Sequence, residues 1–320
     1  MPGMTAGHAA DRASLPGGPD RLPQMASDLP PLRTADVDGP VVYREWDGPP
    51  GTTFVLLHGL GGSHLNWVEA APGLAGLGRV LAPDLPGFGR SPRGARGTRL
   101  MDSRAALSGF LDAVDAGPVI VAGNSMGGAI GFLEAAVEPS RVRGLVATSS
   151  VFPWARGGRP HPLVLGTFAL YDSRWLGERI VASRRRAVDP ETVVAFSLRL
   201  LTVDPGRIPR DVVRLQVELL RQTRDDPDLP RSFVEAARSI IRYVRDPAVG
   251  RRAMDAVRSP VLVIHGRQDR FVPAAFAEAA LAQHPGWRGR ILPAVGHVPH
   301  MEAPARWLAE VAEWHAAAIR

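Results

Sequence analysis

The chain has 320 residues, is 45% hydrophobic, carries a formal net charge of +6 and contains no cysteine. That length suits one large α/β domain, or such a core with an inserted subdomain, and either can bury a sizeable core. The missing cysteines exclude disulfides, thiolate metal ligands and a cysteine nucleophile, and no apolar run approaches the ~18 residues that a membrane span needs.

Every basic side chain is arginine, and between Pro153 and Gly250 there are 17 Arg against 12 Asp and Glu. The excess could attract anionic substrates or a membrane surface. The absence of lysine and the abundance of Ala, Gly and Pro read instead as a composition bias. No recognition motif accompanies the charge, so a nucleic-acid partner is not expected, while peripheral membrane contact stays open. Residues 1–36 lack the continuous apolar segment of a secretory signal and read as a disordered tail, with the cytoplasm as the default compartment.

In chain order, Val41 to Trp46 reads as an edge strand, followed by the turn cluster Asp47-Gly48-Pro49-Pro50-Gly51. Thr53 to Leu57 is a continuous apolar run, as in a strand buried on both faces. It ends at His58-Gly59-Leu60-Gly61-Gly62-Ser63, where glycines let a loop backbone approach a ligand and present N–H groups to it. A helix is expected from about Leu65 to Leu77, a strand at Arg79 to Pro83, a loop at Asp84 to Ser91 and a helix near Met101 to Val114. Pro118 to Ala122 is the next strand. From Met126 onward, Ala129, Ile130, Phe132, Leu133, Ala136 and Val137 recur at helical spacing until Pro139.

Between that strand and helix lies Gly123-Asn124-Ser125-Met126-Gly127. A serine on so tight a strand-to-helix turn requires small residues two positions before and after it. The alternation of strand and helix continues through Val142 to Thr148 and implies a parallel sheet covered on both faces, with chemistry at the carboxyl ends of the strands.

From Phe152 to Gly250 the pattern becomes consecutive helices, expected near Pro162 to Tyr171, Trp175 to Ser183, Glu191 to Leu201, Arg210 to Arg221 and Arg231 to Arg245. This reads as an inserted helical cap, residues 152–250, on a core formed by 37–151 and 251–320. Some of its aromatic residues, with Phe152 and Trp154 foremost, are expected to line a substrate pocket over Ser125 together with His58, Gly59 and Asn124. The strand Pro260 to Ile264 restores the sheet and leads to Asp269; a helix from Ala274 to Gln283 and the strand Arg290 to Leu292 lead to His297. Trp307, Leu308, Val311 and Trp314 form one face of the last helix.

A serine hydroxyl needs a base to become nucleophilic at neutral pH, and the base needs a carboxylate to fix its tautomer. Asp269 and His297 follow the last two strands, giving the order Ser, Asp, His. His300 rivals His297, but Gly296 gives the His297 loop freedom to aim its ring. Asp84 reads as a loop-stabilising residue.

Taken together, the His58-Gly59 loop, Asp84 to Ser91, the Gly123 to Gly128 elbow, Asp269 and Gly296-His297 resemble the α/β-hydrolase superfamily over roughly Val37 to the C-terminus. The resemblance implies a mostly parallel sheet flanked by helices and a cofactor-free, metal-free enzyme. In it Ser125 attacks, His297 is base then acid, Asp269 orients His297, and the backbone N–H groups of Leu60 and Met126 hold the oxyanion. Relatives acting on epoxides or haloalkanes use aspartate where Ser125 stands. Carbon–carbon bond hydrolases often share the Gly-Asn-Ser-Met-Gly-Gly elbow, yet commonly have tryptophan after the histidine, where this chain has Val298. Some relatives place the acid one strand earlier, and Ser149-Ser150-Val151-Phe152 contains none. The expected function is hydrolysis of small-molecule carboxylic esters with an apolar acyl or alcohol part. Hydrolysis of vinylogous diketones is the alternative reaction, and a non-catalytic ligand receptor on this fold is the alternative class.

Overall fold

The computed structural model describes residues 29–153 and 158–319. Most of the expected tail, residues 1–28, and Trp154 lie outside the described residues. The end of that tail is a correction: Leu32–Asp36 forms strand β1, paired antiparallel with β2 (Pro40–Trp46). The polar exposed face of this strand hid it, because an edge strand needs only one apolar contact, here Ala35, to be held by ladder hydrogen bonds.

The sheet continues with β3 (Thr53–Leu57), β4 (Arg79–Pro83), β5 (Val119–Asn124), β6 (Val142–Thr148), β7 (Val261–Gly266) and β8 (Arg288–Leu292). Its order is β1-β2-β4-β3-β5-β6-β7-β8, parallel from β4 to β8. Alternate side chains of the central strands feed two separate cores. Val55, Leu57, Val121, Leu145 and Val263 enter one with Phe110 and Phe132. Phe54, Leu56, Ile120, Val146 and Leu262 enter the other with Trp67, Trp307 and Trp314. Each such side chain, fully withdrawn from water, contributes about 1.5–3 kcal/mol before entropy is set against it.

The expected helix from Leu65 to Leu77 is instead a 3-10 turn, His64–Trp67, and a short helix α1 (Ala71–Ala75). Pro72 cannot donate to a preceding turn, so the chain starts a new helix there rather than extending the first. Helices α2 (Leu100–Ala113) and α3 (Met126–Val137) pack against each other beside β5. The cap helices are α4 (Pro162–Asp172), α5 (Arg174–Ala187), α6 (Pro190–Leu201), α7 (Arg210–Gln222) and α8 (Leu229–Arg245). The boundary expected at Gly250 falls inside a further helix, α9 (Pro247–Ala256), which packs on α3. The fold closes with α10 (Ala274–Gln283), α11 (Pro299–Glu302) and α12 (Pro304–Ala318). The cap is tied to the core by polar bonds: Thr98 Oγ1 donates to the Ser232 carbonyl at 2.8 Å, and Arg93 pairs with Glu235 at 2.6 Å.

Candidate active site

Ser125 stands between β5 and α3 with φ 54° and ψ −113°, a left-handed conformation unusual for a residue with a Cβ. The turn is pinned from both sides. The Ser125 N–H donates to the Thr148 carbonyl at 3.0 Å, and its carbonyl accepts from Val151, Gly128 and Ala129. The flanking glycines are required by packing: a Cβ on Gly123 would lie 2.3 Å from the Gly127 carbonyl carbon, and one on Gly127 would lie 2.3 Å from the Leu57 carbonyl oxygen. Such strain is characteristic of functional positions. Met126, the residue after Ser125, opens α3, so its N–H is one of those a helix leaves unpaired at its positive end.

The His58 loop closes over the serine. A Cβ on Gly59 would meet the Ser125 Cβ at 3.3 Å, so the loop backbone runs directly against the Ser125 side chain. A turn from the Gly62 N–H to the Gly59 carbonyl, 3.0 Å, and Gly61 at φ 71° set the direction of Leu60. Both nitrogens of His58 are engaged inside the protein. Nε2 accepts the Leu85 N–H at 3.0 Å, so Nδ1 carries the proton and donates to the Gly59 carbonyl at 2.8 Å. Burial pushes the His58 pKa down and keeps the ring neutral. Its side chain therefore organises the loop. Asp84 is likewise structural: it accepts the His64 N–H and Nδ1 at 2.6 and 2.9 Å and the Arg90 N–H at 2.8 Å. Burial acts to raise its pKa, but the neighbouring His64 ring and these bonds bring it below the ordinary value.

Asp269 follows β7 and His297 follows β8, two adjacent strands separated from β5 by β6. His297 Nδ1 lies 2.7 Å from Asp269 Oδ2, and the ring stacks on Phe271. The other carboxylate oxygen accepts the Phe271 and Val272 N–H groups at 2.8 and 2.9 Å. Burial would raise the Asp269 pKa; His297 and His265 outweigh it and hold the carboxyl well below the usual carboxylate range. An ionised carboxylate can only accept, so the hydrogen between the two is carried by Nδ1 of His297.

The remaining expected residues divide. Asn124 Nδ2 donates to the carbonyls of Thr148 and His297 at 3.2 and 3.1 Å, tying the elbow to the His297 loop. Phe152 is 1% exposed and packs in the core against Phe132 and His265. Two residues of the site carried no assignment from sequence. His265 Nε2 lies 2.8 Å from the Val272 carbonyl and 3.2 Å from Asp269 Oδ2, bracing the acid loop. Glu302 accepts backbone N–H groups from Gly296 and from the cap residues Val203 and Asp204. Its signal in the sequence was slight, a carboxylate five positions after His297 next to the apolar Met301. Among the described residues no His, Asp and Glu cluster is arranged to hold a metal ion, and no helix is long and apolar enough to cross a membrane.

The family model described as alpha/beta hydrolase fold matches residues 52–304, and the chain belongs to that family. Among curated relatives, the dihydrolipoyllysine-residue acetyltransferase component of the acetoin cleaving system of Pseudomonas putida is 29% identical over 277 residues, 86% of this chain and 66% of that one. The 2-hydroxymuconate semialdehyde hydrolase of Pseudomonas sp. (strain CF600) is 31% identical over 234 residues, 71% of this chain and 74% of the relative. The chain spans about two thirds or less of the length of the first relatives it matches. Among solved structures, a thermophilic esterase from Thermogutta terrifontis superposes with a TM-score of 0.66 at 22% identity, covering 91% of this chain and 100% of the other.

Proposed function

We propose that the protein is a serine hydrolase that cleaves carboxylic esters through an acyl-enzyme on Ser125. The observation that carries the reading is the 2.7 Å His297–Asp269 pair, formed by the loops after β8 and β7 of the same sheet whose β5 ends at an elbow serine held at positive φ. In the proposed cycle Ser125 Oγ attacks the ester carbonyl carbon while His297 Nε2 takes its proton. The oxyanion that forms is held by the N–H groups of Leu60 and Met126, the latter helped by the α3 dipole. Collapse of the tetrahedral species breaks the carbon–oxygen bond, and His297 returns the proton to the leaving alcohol. Water, deprotonated by the same nitrogen, then attacks the acyl-enzyme and releases the acid.

The elbow Gly-Asn-Ser-Met-Gly-Gly and the likeness to the semialdehyde hydrolase favour a second reading, carbon–carbon bond hydrolysis of a vinylogous diketone by the same three residues. One experiment separates them: p-nitrophenyl esters and coloured ring-cleavage products are offered to the parent and to Ser125→Ala. Ester turnover that disappears in the variant, with fluorophosphonate labelling of Ser125, supports the first reading. Turnover of the coloured product in preference to esters supports the second, and unchanged ester turnover in the variant defeats the first.

A further inference from the structure

Helix α4 has no charged residue between Pro162 and Tyr171. Only one side of it is covered: Val164 and Tyr171 are buried and Phe168 half-buried, with Tyr171 packed edge-on to Phe233 of α8. At 100° per residue, Leu163, Leu165, Gly166, Ala169 and Leu170 fall on the opposite side, and all five are exposed. A helix apolar on every face is ordinarily buried on every face. The surface continues onto α5, where Trp175 is 67% exposed and Leu176 is exposed beside it. Both helices pack on α8, so their outer faces point away from it in the same general direction.

The same surface is basic. Helix α5 has five arginines and one acidic residue, Glu178; Arg184 lies over the Phe196 ring of α6 and Arg185 donates to the Thr223 carbonyl, while Arg174, Arg179 and Arg186 are exposed. The Arg179 guanidinium lies 4.7 Å over the Trp175 ring, and Arg179, Ser183 and Arg186 line an open depression on the outer side of the helix. Exposed leucines with tryptophan and arginine at their margin make the composition of a helix lying in a lipid interface. A second copy is a poorer occupant, since a two-fold contact through this face would set Arg179 and Arg186 against their own copies. Anionic headgroups complement them.

We propose that the outer face of helices α4 and α5 docks on an anionic lipid surface, from which the enzyme draws lipid-dissolved esters. The route inward is short. Phe168, on the inner side of α4, and Leu60, in the loop beside Ser125, pack against the same small cluster of Tyr171, Val181, Val234 and Ala237. The first residues of α4 are also tied to the acid loop, through the His161 N–H and the Arg270 carbonyl at 2.9 Å. The substrate class named here rests on the ester-hydrolase reading, whereas the docking surface does not.

The test is sedimentation of the full chain with vesicles of phosphatidylcholine alone or mixed with phosphatidylglycerol. The parent and Ser125→Ala bind the anionic vesicles alike, at least about tenfold more tightly than the neutral ones, and salt weakens the binding. Leu165→Glu with Leu170→Glu, and Trp175→Ser, lower that binding by about tenfold or more. They also slow cleavage of a long-chain ester presented in vesicles, yet leave cleavage of dissolved p-nitrophenyl acetate unchanged. No vesicle binding, equal binding to both compositions, or binding indifferent to these substitutions overturns the docking surface. So does a dimer, seen by light scattering, that the same substitutions dissociate. Binding as expected with no ester cleaved by the parent instead defeats the ester reading and leaves the surface standing.

Discussion

Glu302 accepts the Gly296 N–H at 2.7 Å with one carboxylate oxygen and the N–H groups of Val203 and Asp204, at 2.8 and 3.0 Å, with the other. The residue before His297 and the segment leaving α6 are thereby held on one buried carboxylate, and the His297 N–H bonds to the Leu201 carbonyl at 2.6 Å alongside. Cap and His297 loop are thus one hydrogen-bonded unit at this point. Glu302→Ala leaves three backbone donors without their acceptor, at a cost of about 3 kcal/mol or more. Urea unfolding reads that loss. In the same variant kcat falls by about tenfold or more with KM less affected, because His297 is less well held. Parent-like stability would show that the clamp has no energetic weight.

The elbow glycines give a prediction with an internal control. Gly127→Ala forces a Cβ to within 2.3 Å of the Leu57 carbonyl oxygen, and neither backbone can retreat without breaking the β3–β5 ladder. The variant is expected to lose about 3 kcal/mol or more, or to be insoluble. A Cβ at Gly117 meets nothing within 4 Å, so Gly117→Ala is expected to stay within about 0.5 kcal/mol of the parent. Thermal unfolding of the pair decides the matter; similar melting temperatures would refute the steric account.

The contrast between these glycines shows what a sequence can convey. Gly123, Gly127, Asp269 and His297 were legible because each sits at a fixed offset from an apolar run that could only be a buried strand. The double-sided sheet was legible for the same reason, through runs such as Thr53 to Leu57. Hydrogen-bond partners across long sequence gaps were not. Nothing in the order of residues says that the Asn124 amide reaches the carbonyl of His297, 173 positions away, or that Glu302 reaches the end of α6. Likewise β1 was hidden because its contribution is made by backbone ladder bonds to β2, which any side chain permits.

Asp269→Asn keeps the volume of the acid loop and its acceptor for the Phe271 and Val272 N–H groups, but removes the charge that fixes the His297 tautomer. If the proposed roles hold, kcat falls by roughly 10³–10⁴-fold while the protein stays folded. Because Asp269 is held below the ordinary carboxylate range, it is ionised throughout neutral and mildly acid conditions. Its favourable contribution to stability is complete above the unfolded-state value of about 3.9 and is lost only as pH falls toward the folded-state value. Stopped-flow or steady-state ester assays, with circular dichroism as the folding control, test the variant; a drop of less than about tenfold would remove Asp269 from its proposed role.

His300 gives the clearest pH dependence. Its ring lies 4.0 Å from that of Trp67, fully buried, and among the described residues neither ring nitrogen has a hydrogen-bond partner. Burial, with a smaller effect of His297, lowers its pKa to about 3. An unfolded histidine titrates near 6.5, so between about pH 6.5 and 3 the unfolded chain binds a proton that the folded chain does not. Stability therefore rises with pH across that window and is complete above it. Between pH 7 and pH 5 this one group is expected to cost about 2 kcal/mol. His300→Phe keeps a flat ring against Trp67 and removes the titration. Urea unfolding at the two pH values should show the parent losing about 2 kcal/mol more than the variant on acidification. Equal losses in the two proteins would mean that His300 is already solvated or paired in the folded state.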